Sequence, residues 1–255
     1  MIVCFAAICK ARMEFCAKFL YNKRHPHPKG AARISILDSF DPFGQDMITP
    51  QMAAQPVKGF PETVIAAFPP FAYELLRDEY ALEPIGTMTA GRSIPIYTFD
   101  YKGKRLGFFH TLLGGAGSAA LLEELLCKGA KKVLYFGACG SLDQSITGGH
   151  LLIPTAAYRD EGTSYHYAPP GDYLDIPSAS RLAAVLDEIK VPYLRTRTWT
   201  TDAFYRETRR NMEARRAEGC AAVEMECASV MAVAQFRKAE VHQFLYAADC
   251  LDGAH

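Results

Sequence analysis

Apolar runs alternate along this chain with segments of helical period. Val64-Ile65-Ala66-Ala67-Phe68 is an unbroken apolar run stopped by Pro69-Pro70, the pattern of a buried strand, and residues 72–80 read as the helix that follows. Residues 94–99 and 105–110 flank Asp100-Tyr101-Lys102-Gly103-Lys104, which predicts a hairpin. Over residues 119–128, Leu121, Leu122, Leu125 and Leu126 share one helical face and Glu123, Glu124 and Lys128 take the other, with Ser118 placed as the N-cap. Residues 132–136 and 151–154 read as buried strands, 178–190 as a helix, 207–218 as a charged helix and 241–248 as a last strand ending at Asp249. Strands alternating with helices predict an α/β fold with a mixed, largely parallel central sheet flanked by helices. In such sheets ligands gather at the carboxyl ends of the strands.

The pattern changes near residue 34. Residues 1–33 read as an N-terminal extension with Cys4, Cys9 and Cys16, a basic cluster, and His25-Pro26-His27-Pro28-Lys29-Gly30, which cannot continue a helix. Residues 34–255 read as one globular domain. The apolar opening of the extension, Met1 to Ile8, lacks the basic residues of a secretory signal.

Composition removes several classes of function. Lys+Arg 28 and Asp+Glu 28 cancel, and the densest basic stretch, residues 206–216, is diluted by Glu207 and Glu213, so neither nucleic acid nor an anionic membrane is an expected partner. The uncharged run 106–122 carries His110 and several glycines, which argues against a membrane helix. Eight cysteines spread through apolar segments without paired ligand spacing suggest a reduced, cytoplasmic protein and no metal site.

The chemistry concentrates in Ala221-Ala222-Val223-Glu224-Met225-Glu226-Cys227-Ala228-Ser229, where two carboxylates interrupt an apolar segment. Buried carboxylates need donors, and a polyol such as ribose supplies them; the alternative is a helix whose glutamates face water. Two glycine clusters, Gly114 to Gly117 and Gly137 to Gly140, follow apolar runs and could bring backbone amides to a ligand or simply turn the chain. Neither has the spacing of a P-loop or a dinucleotide site. Asp249 and Asp252, where the last strand runs out, suit a positioned general acid or a helix N-cap. Asp202-Ala203-Phe204-Tyr205 could stack a flat base or pack a core, and the polar stretch 159–167 reads as a solvated loop or the mouth of a site.

In this order, from Arg92 to Asp252, these segments resemble the nucleoside phosphorylase and nucleosidase superfamily, which includes purine nucleoside phosphorylase, uridine phosphorylase and methylthioadenosine nucleosidase. Gly114-Gly115-Ala116-Gly117-Ser118 is similar to the family's glycine turn before a Glu-Glu-Leu helix, and Phe136-Gly137-Ala138-Cys139-Gly140 to its strand with Gly-x-x-Gly. Thr201-Asp202-Ala203-Phe204-Tyr205 is similar to its Ser-Asp-x-Phe-Tyr loop, and Val223-Glu224-Met225-Glu226 to its Glu-Met-Glu ribose site.

The resemblance implies ribose binding by Glu226, Met225 and Glu224, with Glu226 taking the 2′ and 3′ hydroxyls. It implies base contacts from Phe204, Glu207, Arg209, Cys139 and Gly140, and Asp249 as the acid facing a purine N7. Glu207 and Arg209 also resemble the Gln and Arg that uridine phosphorylases aim at uracil. Phosphate would meet Gly137, Ala138 and Arg92, the last reaching a neighbouring subunit's site in a dimer or hexamer.

The chain also departs from the family. Where phosphorylases carry a Gly-Asp-Pro-x-Arg loop it reads Phe68-Pro69-Pro70-Phe71, and Tyr135 and Ala138 stand where an Arg and a Ser or Thr are usual. The resemblance therefore implies nucleoside cleavage without a bound cofactor, inorganic phosphate being a weakly held co-substrate. Phosphorolysis, hydrolysis and noncatalytic nucleoside binding all stay open. For hydrolysis, Asp38, Asp41, Asp160 and Glu161 are candidate bases. Family members continue past Asp252 into a helix over the site, whereas this sequence stops at His255, so the resemblance implies either a truncated product or a missing lid, with water reaching the site in both cases.

Overall fold

The computed structural model describes residues 35–89 and 92–251; the N-terminal extension and Asp252 lie outside them. The described chain begins with a 3₁₀ turn, Ile36–Asp38, and a short helix, α1 (Pro50–Ala53). Then come β1 (Thr63–Ala67), α2 (Phe71–Glu79), β2 (Glu83–Met88), β3 (Ile94–Tyr101), β4 (Lys104–His110), α3 (Gly115–Lys128), β5 (Lys132–Ser141) and β6 (Leu151–Asp160). A 3₁₀ turn (Thr163–His166), β7 (Tyr173–Asp175), α4 (Ala179–Glu188), β8 (Leu194–Thr201), a 3₁₀ turn (Phe204–Arg206), α5 (Arg209–Ala217), β9 (Cys220–Glu224), α6 (Cys227–Arg237) and β10 (Glu240–Cys250) complete it.

The strands form one mixed sheet in the order β10-β6-β8-β9-β5-β1-β4-β3-β2, with β7 beside β6. β10 also pairs in parallel with β5, so β5, β10, β6, β8 and β9 close into a ring from which β1, β4, β3 and β2 extend. β1 runs parallel to both β4 and β5, which aims their carboxyl ends the same way. The main core, including Val64, Leu121, Leu125, Tyr135, Ile153 and Val230, packs the sheet against α3, α4 and α6. A smaller cluster around Ala67, Phe99 and Phe108 sits under α2. The expected hairpin is present, with Lys102 and Gly103 both at positive φ in its turn.

Several local expectations are corrected by packing. Helix α3 begins three residues before Ser118, with Gly114 at the N-cap, and Ser118 lies inside it, its Oγ donating to the carbonyl of Leu112 (2.6 Å). Glu123 and Glu124 do not face water. Arg237 of α6 donates to Glu123 (2.9 Å) and the amide of Thr89 to Glu124 (3.0 Å), so partners enclose the polar face as well.

The second glycine cluster is not a turn, because β5 runs straight through it. A Cβ on Gly137 would sit 2.7 Å from the ring of Phe68, and one on Gly140 would sit 2.5 Å from Leu251. These glycines make room for side chains. The stretch 159–167 is not a solvated loop throughout: Arg159, Glu161, Ser164 and Tyr165 are buried, and Arg159, near the end of β6, stacks on Tyr165 (4.0 Å) and donates to Ser164 Oγ (2.7 Å) and the carbonyl of Pro169 (2.6 Å). Among the described residues no helix is long and apolar enough to cross a membrane, and Cys127, Cys139, Cys220, Cys227 and Cys250 are free thiols.

Candidate active site

The carboxylate segment folds as a strand, a sharp turn and a helix. Glu224 ends β9, Met225 and Glu226 turn the chain, and α6 starts at Cys227. The first amides of a helix lack intrahelical partners, and here Glu224 supplies them: its carboxylate accepts from the amides of Glu226 (2.7 Å) and Cys227 (2.6 Å). It also accepts from Thr200 Oγ1 (2.6 Å), while Thr200 Oγ1 accepts from the amide of Ala228 (3.0 Å). Glu224, expected to contact ribose, thus has its oxygens occupied from within and positions its neighbour instead.

Glu226 faces the other way. Its Oε1 accepts from the amide of Gly114 (2.6 Å), 112 residues earlier in the chain, at the start of α3. Gly114 has φ of +92°, which a side chain would strain, so the glycine turn is needed to aim this amide. Both glutamates are buried, and burial raises both pKa values; for Glu226 the charge of Glu224 adds to the effect.

A cavity of about 270 Å³ opens over this turn. It is lined by Met225, Glu224 and Glu226, by Ala138, Cys139 and Gly140 of β5, by Leu113, and by Phe204, Glu207, Asp249 and Leu251. Asp249 reaches it through a bulge. β10 and β5 match Ala247 with Cys139 but Asp249 with Gly140, so the extra residue, Ala248, moves Asp249 to the side that a regular strand would give its predecessor.

Asp249, expected as the acid facing the base, is exposed at the cavity mouth. The carboxyl that burial raises there is Glu207, pushed up to about 7 with the charge of Asp249 contributing. Protons are held more tightly by folded than by unfolded Glu207, so its contribution to stability is full below the ordinary glutamate pKa and is lost as pH rises through about 7. Thermal melts of the parent should therefore fall between about pH 4.5 and 7 more steeply than melts of Glu207→Gln. Identical slopes would refute this.

Other expected residues are distributed as follows. Phe204 stands half-exposed at the rim with its ring 3.9 Å from that of Tyr205. Arg209 lines an adjoining cavity of about 370 Å³, shared with Phe204, Glu207 and Asp249. Cys139 forms wall: burial pushes its thiol up to about 12, and it contacts the carbonyl of Tyr246. Gly137, expected to present a loop amide to phosphate, is buried within β5 under Phe68, while Ala138 is exposed to the cavity. Tyr135 is fully buried behind the site beside Ser118. Arg92 lines a separate depression with Tyr73, Tyr97 and His110, so within one chain it does not join the cavity.

Among the candidate bases, Asp160 accepts from Trp199 Nε1 (2.9 Å), and Asp38 caps the first 3₁₀ turn. Asp41 lies exposed in the loop beyond it. Glu161 is buried near the start of α3, where its Oε2 accepts from Ser229 Oγ (2.6 Å) and the amide of Ser164 (3.0 Å), leaving Oε1 without a partner. Sequence reasoning missed the supporting hydroxyls of Thr198 and Thr200. Their alternation in Thr196-Arg197-Thr198-Trp199-Thr200 is the strand signal that could have found them.

The sequence profile of the Phosphorylase superfamily matches residues 63–255. Purine nucleoside phosphorylase from Plasmodium vivax is 31% identical over 147 residues, covering 54% of this chain and 58% of the relative's length. A DeoD-type purine nucleoside phosphorylase from Shewanella frigidimarina is 27% identical over 193 residues, covering 74% and 80% of the two chains. Among solved structures, uridine phosphorylase from Vibrio fischeri superposes with a TM-score of 0.68 at 21% identity, covering 81% of this chain and 87% of that one. AMP nucleosidase from Bacteroides thetaiotaomicron gives 0.65 at 20% identity, covering 78% and 86%. With most of its length matched, and with the carboxylate turn, glycine turn and aromatic loop meeting at one cavity, the chain belongs to the phosphorylase superfamily.

Proposed function

We infer that this chain cleaves the N-glycosidic bond of a purine nucleoside by phosphorolysis, giving the free base and (deoxy)ribose 1-phosphate. The observation that carries the reading is Glu226, a buried carboxylate held by the amide of Gly114 at the floor of an open cavity. Such a group can accept hydrogen bonds from two vicinal hydroxyls, and its negative charge opposes the positive charge that grows on the sugar as the bond breaks. Met225 packs against the sugar, Phe204 stacks on the base, and Asp249 gives the leaving base a proton or hydrogen bond. The names of the curated relatives favour a purine. Free thiols fit a cytoplasmic setting.

Arg92, in its own depression, would serve a second copy's site, so the active form is a homo-oligomer, a dimer or hexamer. Sedimentation should show no monomer at micromolar concentration; an active monomer would remove this role.

Hydrolysis is the second reading, and one observation favours it. Among the described residues the cavity lining includes Glu207, Glu224, Glu226 and Asp249 but no Lys, Arg or His, so it offers a phosphate ion carboxylates and no cation. Titrating phosphate against the initial rate of purine release tests both. The rate should keep rising at phosphate concentrations that saturate ordinary phosphorylases. A phosphate-independent rate with free ribose as product replaces phosphorolysis by hydrolysis, and no release from any nucleoside overturns both.

A further inference from the structure

Glu161 is a buried carboxylate to which the cleavage reaction above gives no part. It directly follows β6, is 7% exposed, and among the described residues is absent from the lining of the 270 Å³ cavity. Its Oε2 accepts from Ser229 Oγ (2.6 Å) and from the amide of Ser164 (3.0 Å), while its Oε1 has no partner among those residues. Ser229 belongs to the first turn of α6, three residues after Glu226, so the two share one side of that turn. It also abuts the start of α3. A Cβ on Gly115 would overlap Ser229 Oγ and lie 3.6 Å from Glu161 Oε2, so a glycine is what lets the α3 backbone come this close. One residue earlier, the amide of Gly114 donates to Glu226 Oε1 (2.6 Å). The first amides of α3 lack intrahelical partners, and this positive helix end favours both carboxylates that reach it, Glu226 from the β9–α6 turn and Glu161 from the end of β6.

We propose that Glu161 is a positioning residue for Glu226: through Ser229 it holds the first turns of α3 and α6 together and so keeps the amide of Gly114 on the carboxylate that faces the cavity. The catalytic consequence rests on the nucleoside-site reading above, whereas the coupling between the two helix starts does not. A carboxylate that must meet two vicinal hydroxyls tolerates little displacement, and a shift of about 1 Å is enough to cost about 10²-fold in rate.

Hydrogen exchange at the amide of Gly114, measured on the full chain, tests the coupling whatever the reaction. Ser229→Ala should speed it about ten-fold and leave a distant amide, that of Val64 in β1, within about three-fold. Glu161→Ala should do at least as much; if that variant does not fold, Ser229→Ala carries the test. Glu161→Gln keeps an oxygen that accepts from Ser229 and Ser164, so it should stay within about three-fold of the parent at Gly114. The kinetic arm uses whichever of adenosine, guanosine and inosine the parent cleaves fastest, with its free base. Ser229→Ala should lower kcat/KM for the nucleoside about ten-fold and leave Kd for the free base, which carries no ribose, within about two-fold. Added to Glu226→Gln, the same change should cost less than about two-fold, because its effect passes through Glu226. Unchanged exchange at Gly114 in Ser229→Ala overturns the proposal. So does a Glu161→Gln as impaired as Glu161→Ala, which would assign the role to the charge of Glu161 rather than to its hydrogen bonds. Faster exchange at Gly114 in a chain that cleaves no nucleoside upholds the coupling and sinks the nucleoside-site reading alone.

Discussion

Replacing Glu226 by Gln is expected to lower kcat/KM for nucleoside cleavage by about 10²- to 10⁴-fold, from the loss of two charge-assisted hydrogen bonds at about 1.5–3 kcal/mol each. The fold should not suffer. Glu226 is buried beside Glu224, burial and that neighbour both disfavour its charge, and a glutamine can still accept from the amide of Gly114. Calorimetric melting should show a Tm at or above that of the parent. The same burial sets the sign of a pH effect: the ionised form binds ribose, so activity should fall as pH drops through the raised pKa of Glu226. Turnover of Glu226→Gln within a few fold of the parent would remove Glu226 from the ribose site.

Glu224→Ala should do the reverse, acting on the fold first. It leaves the amides of Glu226 and Cys227 and the hydroxyl of Thr200 without their acceptor in a buried place. Loss of a helix cap and of buried hydrogen bonds costs about 2–4 kcal/mol after the relief of a buried charge, a drop of roughly 5–15 °C in Tm for a chain of this size. Activity should fall as well, because the Met225–Glu226 turn hangs from this carboxylate. An unchanged Tm would show that Glu224 is not the cap. The two glutamates, two residues apart, therefore separate by experiment into one that acts on substrate and one that holds the other in place.

Much of this site was legible because its residues carry unusual chemistry in unusual surroundings. Carboxylates among Val, Met, Cys and Ala, a glycine cluster before a helix, and an aromatic pair after an acidic residue all stand out against the apolar pattern. The roles within the motif did not stand out. Glu224 and Glu226 are the same residue type at adjacent alternate positions, and only the hydroxyls brought by β8 distinguish the capping group from the one facing the cavity. Periodicity likewise placed Glu123 and Glu124 on the polar face of one helix and could not show what covers that face, because Arg237 and Thr89 arrive from distant segments.

The sequence by itself determined the strands β1, β3, β4, β5, β6 and β10, most helices, the hairpin turn and the motifs that mark the superfamily, since each depends on residues within a few positions of one another, while β8 and β9 became evident only in the sheet. Tertiary structure decided what depends on distant pairing. It closed the ring of strands, ran β5 through Gly137–Gly140, placed the amide of Gly114 on Glu226, moved Arg92 to a depression of its own, and used one bulged residue to turn Asp249 toward the cavity. Desolvation, which raises Glu207 and Glu226, is likewise a property of everything packed around a group, and no local pattern encodes it.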